Sequence, residues 1–135
     1  MFYEPIIVKG YARPKGSWTP VSTRNGIKFR HASKYTAAWV QHLEREVRRL
    51  WLGPVLEGPV TLRLLFYLRK FKTSTRTFPI GSRDGDIDKL ARGVLDALSG
   101  VVYQDDSQVT QLIAVKRYAA TEDDEATWIY VSQGD

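Results

Sequence analysis

The chain has 135 residues, 43% of them hydrophobic, with four tryptophans and no cysteine. That length suits one core and leaves no room for a second, while the missing thiols exclude a disulfide framework, thiolate catalysis and a cysteine-ligated zinc site. A net charge of +5 and an isoelectric point near 9.6 point to a polyanionic partner.

In chain order, Phe2 to Val8 is a short apolar run that predicts a strand. Met1 leads into it with no basic n-region and no apolar stretch of membrane-spanning length, so a soluble, cytoplasmic protein with no membrane role is expected. Gly10 to Gly26, rich in Gly, Pro, Ser and Thr, predicts a loop. After Ser33, a candidate cap, Tyr35, Trp39, Leu43, Val47 and Leu50 recur at spacings of three and four until Gly53-Pro54, which predicts an amphipathic helix. Its other face carries Arg45, Arg48 and Arg49 beside Glu44 and Glu46, the pattern of a solvated surface. Val60 to Leu68, rich in β-branched and aromatic residues, reads as a strand.

Arg69 to Arg83 has no period and is long for a loop in so small a domain, which is a mark of functional segments. Ile87, Leu90, Ala91, Val94, Leu95 and Leu98 define a second helix ending at Ser99-Gly100. Val109 to Tyr118 and Thr127 to Val131 predict two more strands, with Glu122 to Glu125 as a solvated turn between them. The expected fold is α+β: a small single domain over residues 1–135 with a mixed β-sheet and two α-helices.

The charges are unevenly spread. Lys9, Arg13, Lys15, Arg24, Lys28, Arg30 and Lys34 oppose only Glu4 in the opening quarter, and a second basic run contains Arg69, Lys70, Lys72, Arg76 and Arg83. Interleaved with Tyr11, Trp18, Phe29, Phe71 and Phe78, these cations suit a nucleic acid, whose phosphates they neutralise while rings stack on bases. Arg13, Lys15, Arg24, Lys28, Arg30, Lys70, Lys72 and Arg76 are the candidate DNA contacts.

Against this background six acids stand close in sequence: Asp84, Asp86, Asp88, Asp96, Asp105 and Asp106. Concentrated like charge needs compensation, and hard oxygen donors without thiol or imidazole select Mg2+ or Mn2+. A divalent cation in a basic protein suggests phosphodiester chemistry. Asp86 and Asp88 sit two apart at the entry to the second helix, and Asp88 shares a helical edge with Arg92. Residues 101–104, if a strand, return the chain past the helix start and let Asp105-Asp106 converge on them. An N-cap accounts for one Asp and turn chemistry is the alternative for Asp105-Asp106, but one cap does not explain three acids at alternate positions plus a second pair. An EF-hand is excluded because Lys89 and Leu95 occupy its Gly and closing Glu positions. No phosphate-binding Gly fingerprint exists, so no nucleotide cofactor is expected.

The run Asp86-Ile87-Asp88-Lys89-Leu90-Ala91-Arg92, with Asp96-Ala97-Leu98-Ser99-Gly100 and Asp105-Asp106-Ser107-Gln108-Val109, resembles the RusA family of Holliday junction resolvases. That family's motif reads roughly Asp-x-Asp-Asn-x-x-Lys, then Asp-Ala-Leu, a Gly turn, and Asp-Asp before a strand. The resemblance implies that Asp86, Asp88 and Asp106 are catalytic carboxylates holding Mg2+, for which Mn2+ can substitute, with Asp105 beside them. It implies cutting of branched DNA, the four-way junction above all, to 5′-phosphate and 3′-hydroxyl ends during recombination and repair, in a bacterial or phage setting. Paired cuts in symmetry-related strands call for a homodimer, and the apolar face of the first helix, with Trp39 and Trp51, is the candidate surface. Asp96 is expected to be structural.

Two departures matter. Lys89 replaces the motif's Asn, and Arg92 replaces its Lys; an arginine cannot act as a general base, so Arg92 is expected to orient or stabilise the phosphate. A non-catalytic binder of branched DNA, or a metal-dependent nuclease of broader flap and fork specificity, are the alternatives.

Overall fold

The computed structural model describes residues 1–15, 18–31 and 34–134, and the side chains of all of these except 18–23 and 27–31. Eight regular elements follow in order: strands β1 (Ile6–Lys9), β2 (Trp18–Thr23) and β3 (Gly26–His31), helix α1 (Lys34–Leu50), strand β4 (Val60–Leu68), helix α2 (Ile87–Leu98), and strands β5 (Val109–Tyr118) and β6 (Ala126–Gln133). Asp106–Gln108 and Glu122–Asp124 add single turns of 3-10 helix. The α+β reading holds, with two α-helices and a mixed sheet.

That sheet has the order β1-β6-β4-β5. β4 pairs antiparallel with β6 and parallel with β5, so β4, α2 and β5 form a crossover unit. A central strand flanked on both sides must be strongly apolar, and Leu62, Leu64, Phe66 and Leu68 of β4 are all buried on one face. Registered beside them are Ile129 and Val131 of β6 and, further along the sheet, Ile6 of β1. The helices close this face: α1 inserts Trp39, Leu43 and Val47, and α2 inserts Leu90, Val94 and Leu98. The two helices also touch each other, so both lie in one layer.

Three expectations change. Gly10 to Gly26 is not all loop, because β2 and β3 form a separate antiparallel hairpin turned at Arg24 and Asn25. Trp39 and Trp51 are 5% and 9% exposed, so both are core residues and neither offers the dimer surface expected of it. Tyr35 belongs to the sequence stripe, yet it is 59% exposed; Thr36 takes the buried place. The Ser33 cap lies outside the described residues.

Candidate active site

Asp86 is the residue before the first turn of α2, with extended backbone (φ −74°, ψ 137°), but its side chain makes no capping hydrogen bond. Its carboxylate faces outward, 3.4 Å from Lys89 Nζ. Asp88 and Arg92 follow on exposed positions of α2. No ion pair joins these two among the described residues, so the surface salt bridge that would explain Arg92 blandly is not formed.

The turn that delivers Asp86 is built around Asp84, which sequence reasoning left without a role. Asp84 is 8% exposed; its Oδ2 accepts hydrogen bonds from the Gly81 amide (2.8 Å) and the Tyr118 hydroxyl (3.2 Å). Lys116 donates to the Gly85 carbonyl at 2.9 Å. Two alternate residues near the end of β5 therefore clamp the loop from the sheet side. Gly85 itself has φ +86°, and a Cβ there would sit 3.3 Å from the Pro14 ring, so a side chain is both strained and crowded at that position. The long segment after β4 is thus a fixed approach to α2.

Asp105 and Asp106 stand at the other end of that helix. The chain leaves α2 through Gly100 (φ +81°), and the Tyr103 hydroxyl donates to the Leu95 carbonyl at 2.9 Å. Burial pushes the Tyr103 hydroxyl well above its ordinary pKa, with the Asp106 charge adding to the shift. Residues 101–104 make only isolated bridges, at Tyr103 to Leu56 and Ser99, and do not run back to the helix start. β5 begins beside the Asp106 turn at Val109 and reaches the loop before Asp86 only at Lys116, about 23 Å along the strand, so within one chain Asp106 lies far from Asp86 and Asp88. Consistent with this, no group of three or more acidic or imidazole side chains among the described residues could hold a metal ion.

The two neighbouring acids differ. Asp105 caps the turn: its carboxylate accepts from the Ser107 amide at 2.9 Å, and Gln108 closes the box back onto the Asp105 amide. These bonds hold the Asp105 carboxyl below its usual pKa. The Asp106 carboxylate is exposed and has no hydrogen-bond or ion-pair partner among the described residues. Hard, unpaired carboxylates at positions 88 and 106 suit a magnesium-type cation in donor chemistry, and the single chain does not gather them.

The candidate DNA contacts divide similarly. Arg13 lies over the Tyr11 ring at 4.8 Å and the Tyr35 ring at 5.8 Å. Lys15 is tied to Asp96 at 3.0 Å, which gives Asp96 a structural partner. Lys70 lies over Tyr118 at 5.5 Å, and Arg24, Lys72 and Arg76 are exposed. The side chains of Lys28 and Arg30, like those of Trp18 and Phe29, fall outside the described set.

Sequence reasoning also treated Glu122 to Glu125 as a solvated turn, whereas Glu125 is 4% exposed and holds Arg69 through both oxygens (2.9 and 3.0 Å). That bond raises the Arg69 pKa further and fixes the guanidinium 4.6 Å from the Tyr11 ring. Its signal is the β4–β6 register, which continued past Tyr67 and Ala126 sets position 125 opposite 68 and so one residue from 69.

Among the described residues, no helix is long and apolar enough to cross a membrane. Comparison with curated proteins finds no match. A family model described as endodeoxyribonuclease RusA matches residues 12–125, which span the basic arm, the clamp on Asp84, all of α2 and the Asp105-Asp106 turn. With so much of its length covered, the chain belongs to the RusA endodeoxyribonuclease family.

Proposed function

We propose that this protein is a Mg2+-dependent endonuclease that resolves four-way junctions or related branched DNA during recombination and repair, working as a homodimer in the cytoplasm. The observation that carries the reading is the family match across a segment whose outward-facing acids, Asp86, Asp88 and Asp106, are not consumed by helix capping. Asp86, Asp88 and Asp106 would hold the cation, with Asp105 restrained by its turn as a neighbour. A bound Mg2+ would supply an activated water and neutralise charge on the phosphate. Arg92, exposed and unpaired on the same helix, would grip the scissile phosphate and stabilise its developing charge, since a guanidinium offers fixed donors but no base.

The separation of the acids supports a shared site. β5 is an edge strand, and Leu112 (41% exposed), Ile113 (44%), Phe78 (53%), Ile80 (77%) and Ile87 (38%) leave apolar surface around it. Long bare edges of this kind invite pairing. Antiparallel pairing of β5 with its copy about a two-fold axis would bring the Val109 end of one strand, next to Asp106, toward the Lys116 end of the other. Lys116 is where the loop before Asp86 is held. The cation would then be held by Asp86 and Asp88 of one chain and the partner's Asp106, giving two equivalent sites for paired cuts.

Cleavage of a four-way junction, a flap, a fork and linear duplex, each with and without Mg2+, tests the function. Metal-dependent cutting of the junction well ahead of duplex is expected. Retarding the junction without cutting it would identify a binding protein, and preferring flaps or forks would identify a broader nuclease.

A further inference from the structure

Tyr35 lies one helical turn before the buried Trp39 and is nevertheless 59% exposed. It stands at a cleft of about 530 Å³ between the N-terminal arm, the first turns of α1 and the segment after β4. Tyr11, Trp39, His42, Phe71 and Arg13 line it with Tyr35. The walls are fixed in advance. Tyr11 is held by the Arg13 and Arg69 guanidiniums at 4.8 and 4.6 Å, Arg69 by the buried Glu125, and His42 Nε2 by the Lys9 carbonyl at 2.7 Å.

Among the described residues, the charges around the cleft that no opposite charge pairs are cationic. Arg13 and the Lys34 ammonium approach the Tyr35 ring at 5.8 and 5.4 Å, and Arg83 lies 4.8 Å from Phe71. Among the described residues, the carboxylates that reach Arg69 at this cleft, Glu125 and Glu122, are both spent on it. Planar rings with cations beside them match a nucleobase whose phosphate stays outside. Phe71 also borders the adjoining cavity formed by Arg76, Gly81, Arg83, Asp84 and Tyr118, so the cleft opens beside the loop that delivers Asp86.

We infer that this cleft takes one unpaired DNA base, displaced from the stack at the branch point, with Tyr35 as its stacking platform. The inference rests on the branched-DNA reading and adds to it the residue that separates an open branch from intact duplex. A duplex keeps its bases stacked and can offer only phosphates to the surrounding cations.

Binding is measured without divalent metal, so that cutting plays no part, on a four-way junction and on linear duplex of the same sequence. Tyr35→Ala is expected to weaken junction binding about tenfold while leaving duplex binding unchanged, and Tyr35→Phe is expected to bind like wild type. A junction with 5-iodouracil at the branch point is expected to photocrosslink to the peptide containing Tyr35 or Phe71. The inference is overturned if Tyr35→Ala binds the junction like wild type, loses affinity equally for duplex, or is not rescued by the phenylalanine ring. Crosslinks confined to other peptides would overturn it too. Wild-type protein that cuts junctions while Tyr35→Ala is neutral removes the base site alone; failure of wild type to bind any branched DNA removes the function with it.

Discussion

Asp105 and Asp106 are adjacent, yet one spends its carboxylate on the Ser107 amide and the other points to solvent unpaired. The prediction is therefore asymmetric. Asp86→Asn, Asp88→Asn and Asp106→Asn should each abolish junction cleavage while leaving binding intact or tighter, because a charge facing phosphates is removed. Asp105→Ala should cut within a few-fold of wild type and lower the melting temperature, because alanine, unlike asparagine, removes the oxygen that caps the turn. Single-turnover cleavage and thermal melts of the four variants check this, and near-normal cutting by any of the first three removes that residue from the site. Arg92, with no carboxylate partner among the described residues, should show its role in turnover. Arg92→Ala is expected to slow cleavage by about 10²-fold and Arg92→Lys to retain part of the rate, with little change in the Mg2+ concentration needed. If both retain wild-type turnover, Arg92 does not touch the phosphate.

Among the elements, both long helices and most of the sheet were legible because each buries one stripe. Trp39, Leu43 and Val47 in α1, and Leu90, Val94 and Leu98 in α2, carry the helical period through to the core. The β2–β3 hairpin was missed because Pro, Ser and Thr masked short strands, although Asn25-Gly26 is a hairpin turn signal and Gly26 has φ +112°. The acid pairing was misjudged at the element scale as well. The segment after Gly100, which would return the chain if it formed a strand, makes only isolated bridges, and β5 runs between the Asp106 turn at its Val109 end and the loop before Asp86 held at Lys116. The Arg69–Glu125 pair was illegible without register, since the residues are distant in sequence. It joins the ends of β4 and β6 and steadies Tyr11. Arg69→Ala should destabilise the protein by roughly 1–3 kcal/mol, between the exposed and buried limits for an ion pair. Thermal or urea unfolding measures this; a change below a few tenths would show that Glu125 finds water when the arginine is gone.

Over the whole molecule, the basic arm and the acidic helix are parts of one surface. Lys15, bonded to Asp96, links the arm to α2, while Arg13 stands on the Tyr11 and Tyr35 rings with no carboxylate partner among the described residues. The salt dependence of junction binding should distinguish them. Arg13→Ala is expected to reduce the slope of log affinity against log salt by about 0.9, the value of one phosphate contact, while Lys15→Ala leaves the slope near that of wild type. An unchanged slope for Arg13→Ala would mean that the arm faces solvent.

The central claim, a metal-dependent junction nuclease whose acids meet across a two-fold axis, can be tested by mixing two inactive variants. Asp88→Asn and Asp106→Asn are each expected to be silent on a four-way junction with saturating Mg2+. Unfolded and refolded together, they form mixed dimers in which one site regains Asp86, Asp88 and the partner's Asp106, while the other loses two acids. Recovered nicking of one strand, with no paired cuts, is the predicted result. A mixture as silent as its parts, beside active wild type, would contradict the shared site.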